Sequence, residues 1–360
     1  MRSEEARSRC RRRILQLCGS TLDAEAIRLA IVDELRHAIG FVAWGWPLAD
    51  PASLLPTTAI ADRAMWPVVP RIVDAEERAS DVNKDRELAT SGDPVGILSV
   101  ATRGDLQRSM RWREILGPHG FGDELRAACV DRFGCWGHLR LYREIGESPF
   151  EADDKDLLRE VVPAVASALR ARAVSPVRAS AIADEPLRPG AVILDDGLRV
   201  RSWTESADAW FGAFAGNAPP RGPNARCAVF STAARCVSPE GAKTARVRMR
   251  LSDGRWVVVE AARLEGKDRG TLVSVRAAAP REVLDLVGRG HGLTARERAL
   301  VSGVADGLDT RELAERMHIS PLTVQQHLKS VFDKVGVRSR RELVAGLFAQ
   351  SSRAPAANKP

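Results

Sequence analysis

The sequence lacks any Cys-x-x-Cys pair. Its six cysteines, Cys10, Cys18, Cys129, Cys135, Cys227 and Cys236, stand apart and form no cluster with histidines at metal-ligand spacing. That argues against a metal site or a disulfide framework and for a reducing cytoplasm. No run of 18 apolar residues occurs, and the basic start from Arg2 to Arg13 leads into no sufficient apolar segment. Neither a membrane span nor a signal peptide is expected, and the basic start itself reads as a solvated helix end. Lysine is scarce, seven against 47 arginines, a bias that fits a GC-rich genome better than a binding role. The chain also lacks HExxH, GxSxG, Walker A and SxxK motifs. His37, His119, His138, His291, His318 and His327 are scattered and read as structural or surface residues rather than a catalytic set, so neither enzymatic activity nor a cofactor is expected. Asp153-Asp154 starts a helix and Asp195-Asp196 makes a turn. Neither pair sits in the alternating α/β pattern of a phospho-acceptor domain.

What is present bounds the rest. A chain of 360 residues is long enough for two or three domains. Hydrophobic residues at 44% with 28% charged describe a soluble globular protein. The net charge of +7 and pI near 9.4 permit a polyanionic partner without requiring one.

The most informative stretch runs from Leu293 to Phe348 and parses as four short helices, each with its own start signal. Thr294 with Glu297, Asp309 with Glu312 and Ser339 with Glu342 have capping-box spacing. Ser320-Pro321 is a cap residue with proline at the first helical position. Gly307 and Gly336 stand where left-handed residues would end the first and third helices. Only Met317-His318-Ile319-Ser320 separates the second helix from the third, which predicts a helix-turn-helix corner. The third helix, Pro321 to Val335, carries Val324, Leu328, Val331, Phe332 and Val335 on one stripe. Its opposite side is centred on Gln326, Lys329 and Asp333, flanked by Gln325, Thr323, Ser330 and His327. Such a helix spans roughly 22 Å, enough to lie in a major groove. There Gln can pair with adenine, Lys can reach guanine acceptors or phosphate, and Thr and His suit backbone oxygens. Charge alone would not show this, since nine basic and seven acidic residues leave the stretch a net +2.

This stretch resembles the LuxR-type (GerE-type) helix-turn-helix DNA-binding domain of bacterial transcription regulators. The matching residues are Leu293-Thr294-x-Arg296-Glu297-Arg298, Glu312-Leu313-Ala314, Ile319-Ser320-x-x-Thr323-Val324-x-x-His327 and Lys334-Val335-Gly336-Val337. The resemblance implies base contacts at Gln325, Gln326 and Lys329 and phosphate contacts near Thr323 and His327, with Ser330 beside them. It implies double-stranded DNA as partner, and a fourth helix that pairs two subunits through Leu343, Val344 and Leu347. Gln325 stands where the family usually has Lys, a lost charge at a base-contacting position.

Ahead of this stretch the expected organisation is multidomain: α+β units followed by the all-α four-helix domain. Residues 1–175 read as a helix (Asp23 to Ala38, apolar on Ile27, Ala30, Ile31 and Leu35), a short strand from Phe41 to Trp46, and turns at Pro47, Pro51, Pro56 and Pro70. A polar helix follows from Ala75 to Thr90, then a buried strand from Gly96 to Thr102 and a strand pair (Glu124 to Arg132, Trp136 to Glu144) around Gly134. A long helix from Asp153 to Ala173 closes the unit, and Pro163 should kink or split it. The order resembles a GAF-type sensory domain. Residues 176–189 read as a linker. In 190–280, Ala191 to Leu194 and Leu198 to Trp203 pair across Asp195-Asp196-Gly197, a helix runs from Thr204 to Phe214, and a loop occupies Asn217 to Asn224. Arg246 to Leu251, Trp256 to Ala262 and Thr271 to Arg276 form a meander. The pattern resembles a small PAS-like domain with a thin helical middle, suited to a spacer or dimerisation role. Gly288-Arg289-Gly290-His291-Gly292 lacks the strand that a nucleotide loop requires and reads as a flexible tether within 281–350. Residues 351–360 are tail. The implied protein is a homodimeric, cytoplasmic transcription regulator without membrane contact. Its front half either senses a small molecule or binds a protein partner.

Overall fold

The computed structural model describes residues 4–78, 80–175, 188–208, 210, 227–238, 241–251, 253–266 and 269–349. Two five-stranded antiparallel sheets share one strand order. The first contains β1 (Ala43–Ala49), β2 (Pro56–Ala61), β3 (Val95–Ile97), β4 (Phe121–Asp131) and β5 (Gly134–Glu144), ordered β2-β1-β5-β4-β3. The second contains β6 (Gly190–Leu194), β7 (Val200–Trp203), β8 (Thr244–Arg250), β9 (Trp256–Leu264) and β10 (Gly270–Ala277), ordered β7-β6-β10-β9-β8.

Side-chain alternation with period two divides the first sheet into unlike faces. Leu125, Ala127 and Cys129 of β4 and Leu139 and Leu141 of β5 join Trp44 and Trp46 in an apolar core. That core is closed by α1 (Glu4–Cys18), α2 (Ala24–Ala38) and α6 (Ala152–Val174). Glu124, Arg126, His138, Arg140 and Tyr142 occupy the alternate positions and are also buried. They lie under α3 (Val69–Arg78), α4 (Asp85–Thr90) and the chain around Arg111. The short helical turn α5 (Leu98–Ala101) is pinned by Asp123, which accepts from the Ser99 N–H at 3.0 Å and its hydroxyl at 2.7 Å.

Several expectations are corrected here. Pro47 lies inside β1, a central strand, where the ladder shifts register between Pro47 and Ala49; a bulge tolerates the missing N–H. Pro56 opens β2 and Pro70 sits in the first turn of α3, both places where proline fits without a turn. The single helix expected from Ala75 to Thr90 is two, α3 and α4. The strand expected from Gly96 to Thr102 shrinks to β3, because α5 starts at Leu98. Pro163 does not split α6, which runs unbroken for 23 residues. Pro163 faces solvent while Val161, Val162 and Val165 are buried, so packing on both sides offsets the hydrogen bond it removes.

The second sheet has one apolar face built from Val192, Leu194, Val247, Met249, Val257, Val259, Ala261, Val273 and Val275. A helix absent from the sequence reading, α7 (Cys227–Val237), covers it, so the helical middle is fuller than expected. The back of α7 meets the first unit: Ser231 Oγ donates to the Pro56 carbonyl at 3.0 Å, Ser238 Oγ donates to the Glu77 carbonyl at 2.8 Å, and Arg235 pairs with Glu77. Residues 205–208 begin the expected helix after β7. The remainder of that helix, the loop at 217–224, the linker at 176–187 and the tail at 351–360 lie outside the described residues.

The expected tether is instead α8 (Pro280–Gly290). Its Val283, Leu284, Leu286 and Val287 enter one core with Val174 of α6 and Trp256 and Val258 of β9. Gly290 makes this possible, since a Cβ there would stand 2.3 Å from Val174 Cγ1. Those glycines permit close packing rather than motion. Four helices follow: α9 (Ala295–Ala305), α10 (Thr310–Met317), α11 (Pro321–Val335) and α12 (Arg340–Ala349). Their Leu293, Leu300, Val301, Leu313, Val324, Leu328, Val331 and Leu343 extend the core that holds α8. The four-helix unit is thereby joined to the body through apolar contacts.

Candidate nucleic-acid interface

Local chemistry fixes each helix start. Thr294 Oγ1 accepts from the Glu297 N–H at 3.3 Å, and the Glu297 carboxylate accepts from the Thr294 N–H at 2.7 Å. Asp309 accepts from the Arg311 and Glu312 N–H groups at 2.7 and 2.8 Å while Glu312 accepts from Asp309 N–H at 2.7 Å. The box expected at Ser339 is offset. Ser339 Oγ accepts from Glu342 N–H at 3.1 Å, but the Glu342 carboxylate takes the Arg338 N–H at 2.8 Å, one residue earlier. Ser320 Oγ accepts from Thr323 N–H at 3.1 Å and caps α11, which ends at Gly336 with φ of 78°. The corner is one residue shorter than expected: Met317 closes α10, leaving His318-Ile319-Ser320. His318 makes the turn with φ of 52°, a left-handed conformation that costs a non-glycine residue free energy.

The cap, the corner and the buried stripe together determine what α11 shows to solvent. Val324, Leu328 and Val331 are buried, whereas Gln325, Gln326 and Lys329 are exposed and Thr323 and His327 half-buried. The expected reading face is therefore assembled on one side of one helix. Gln325 Nε2 donates to Thr310 Oγ1 at 3.3 Å, and Arg340 Nη2 donates to the same oxygen at 2.9 Å. Thr310 thus ties the first turn of α10 to the exposed face of α11.

Two of the expected site residues have other duties. Ser330 is half-buried and donates its hydroxyl to Glu297 Oε1 at 2.7 Å, so it braces α11 against α9 rather than facing a groove. Lys334 Nζ joins it, 2.7 Å from both Glu297 oxygens. Burial opposes ionisation of Glu297, but the hydrogen bonds from Lys334, Ser330 and Thr294 outweigh it and hold the carboxyl at about 2. Leu343 is fully buried in the unit's own core, so its side chain anchors α12 and is not offered to a second subunit. Val344 is half-buried at the edge of that core, and the side chain of Leu347 lies outside the described residues.

Three residues of this region carry more than the sequence alone shows. Glu297 was seen as a cap but not as the brace beneath α11, because its partners lie 33 and 37 residues away. From the sequence His318 reads as an ordinary surface or structural histidine, with no sign of its left-handed backbone. Leu322, 70% exposed at the second position of α11, was passed over. Its signal was available: on the helical wheel it falls off the buried stripe and in line with Gln326 and Lys329.

Residues 291–346 match the family model described as bacterial regulatory proteins, luxR family. The HTH-type transcriptional regulator Mb0914c of Mycobacterium bovis is 47% identical over 57 residues, which cover 16% of this chain and 6% of that protein. The transcriptional regulatory protein SgaR of Hyphomicrobium methylovorum is 46% identical over 55 residues, 15% of this chain and 26% of that protein. The matched stretch thus spans a small part of each relative's length. Among solved structures, SdiA in complex with octanoyl-rac-glycerol aligns over 95% of this chain and 94% of its own at 11% identity, with a TM-score of 0.36. The C-terminal helices form a LuxR-type helix-turn-helix domain, and the relatives that share it are named transcriptional regulators.

Proposed function

We propose that this protein is a sequence-specific, dimeric transcription regulator that reads the major groove with α11. The exposed row of Gln325, Gln326 and Lys329 on a helix whose other side is locked into the domain carries this reading. Gln326 and Lys329 are the base-edge donors, Gln325 a third once it leaves Thr310, and Thr323 and His327 approach phosphate. Two copies would place their α11 helices about one helical turn apart on a near-palindromic site. Val344 and the outer side of α12 are the surface we assign to pairing. No catalytic role and no cofactor are proposed.

The front half is read as a GAF-like unit at 1–175 and a PAS-like unit at 190–280, joined by 176–189 and leading into the DNA-binding domain at 281–350. The shared strand order of the two sheets supports the pairing of two related units. For the role of that half, a specific observation favours the second reading, a protein-interaction or dimerisation module without a small ligand. Both faces of the first sheet and the apolar face of the second are filled by the chain's own helices and ionic groups. A small-molecule sensor should instead be stabilised against heat by some metabolite.

The test is selection by the full chain from a random duplex library over a salt series. The reading expects an enriched site of two half-sites about 10 base pairs apart centre to centre, with affinity falling steeply as salt rises. Recovery of unselected sequence at every salt concentration would defeat it.

A further inference from the structure

We infer that Leu322 reads the C5-methyl group of a thymine in the major groove, an inference that rests on α11 being the reading helix. Leu322 is 70% exposed, the most exposed large apolar side chain among the described residues. At about 100° per residue it lies within about 60° of Gln325, Gln326 and Lys329 around the helix axis. The buried Val324, Leu328 and Val331 occupy the other side. An apolar side chain therefore stands in the row that the amides and the ammonium form, and no described residue covers it.

The first turn that carries it is firmly held. Ser320 Oγ accepts the Thr323 N–H at 3.1 Å and lies 2.8 Å from Thr323 Oγ1, with Pro321 between them. The backbone of Leu322 is thus fixed by a doubly bonded cap while its side chain projects freely. Residues at the N-terminal end of a recognition helix are the ones that meet base edges. Of the groups on major-groove edges, only the thymine methyl is apolar. Adenine, guanine and cytosine present donors and acceptors that a leucine would desolvate without compensation. Phosphate is excluded as its target for the same reason. Gln326, about 6 Å further along the axis, matches the N6 and N7 pattern of adenine. Leucine and glutamine together fit adjacent A·T pairs.

The experiment uses the full chain and the site it selects. Each thymine in one half-site is replaced in turn by deoxyuridine, which removes only the methyl group. Affinity is measured for the wild type, Leu322→Ala and Leu322→Gln. Because Leu322 is exposed on a helix, both variants should fold, and unchanged thermal melting checks this. The expected result is one thymine per half-site whose methyl is worth about threefold to fivefold in wild-type affinity, and no methyl dependence there in either variant. A site without such a thymine, or variants that keep the full methyl dependence, would overturn the inference while leaving α11 as the reading helix. Failure to select any site would overturn both.

Discussion

The two sheets share a strand order and differ in what they bury. Behind the second lies an interior of valine and alanine closed by α7. Behind the first, Glu76, Asp81, Asp85 and Glu124 face Arg111, Arg126, Arg140 and His138, nearly all out of solvent. Arg126 bridges Glu76, Asp85 and Glu124, while Arg111 donates to Glu124 at 3.0 and 2.8 Å. Three guanidiniums against four carboxylates leave one charge to balance, and a protonated His138 supplies it. Burial disfavours the imidazolium, yet Asp85, 3.8 Å from Nδ1, and Cys135 outweigh that and lift His138 to about 9. The same topology can thus be filled by a non-directional apolar core or by a set of mutually dependent charges. The charged version tolerates the loss of any member far less.

That contrast can be broken in order of expected effect. Arg126→Met strands three carboxylates and should cost about 3–5 kcal/mol in chemical denaturation; a loss below about 1 kcal/mol would mean the network is not cooperative. The converse change, Val259→Thr in the second sheet, buries one hydroxyl among apolar neighbours and should cost about 1–3 kcal/mol. Titrating His138 is the next lever. Its folded pKa lies above its unfolded value near 6.5, so its stabilisation is complete below about pH 6.5 and fades as pH rises through about 9, a loss of about 3 kcal/mol. His138→Gln should flatten that slope, and an unchanged slope would reassign it. The smallest effect belongs to the helix-turn-helix corner, where His318→Gly relieves a left-handed backbone and should raise stability by about 0.5–1 kcal/mol.

The C-terminal domain was legible because its instructions are local. Each cap, corner and stop lies within four residues of what it controls, as Thr294 with Glu297 and Ser320 with Thr323 show. The ionic network was not legible, since Glu76, Asp85, Arg111, Glu124 and Arg140 come from five segments and each alone resembles a surface charge. Helix α7 escaped because Cys227 to Val237 is mostly small and β-branched residues, buried nearly all round, a short apolar run that periodicity alone does not assign to helix or strand. The glycines at 288 and 290 were read by their freedom, whereas their surroundings use their small size.

The proposed reading of DNA by the exposed face of α11 rests on Gln326 and Lys329. It is tested most directly by measuring full-chain affinity for the selected operator with Gln326→Ala and Lys329→Ala across a salt series. Gln326→Ala should cost about 1–3 kcal/mol, with specificity relaxed at one position. Lys329→Ala should cost about as much and, because it removes a cation from the DNA surface, make the salt slope smaller. Wild-type affinity and specificity in both variants would contradict it.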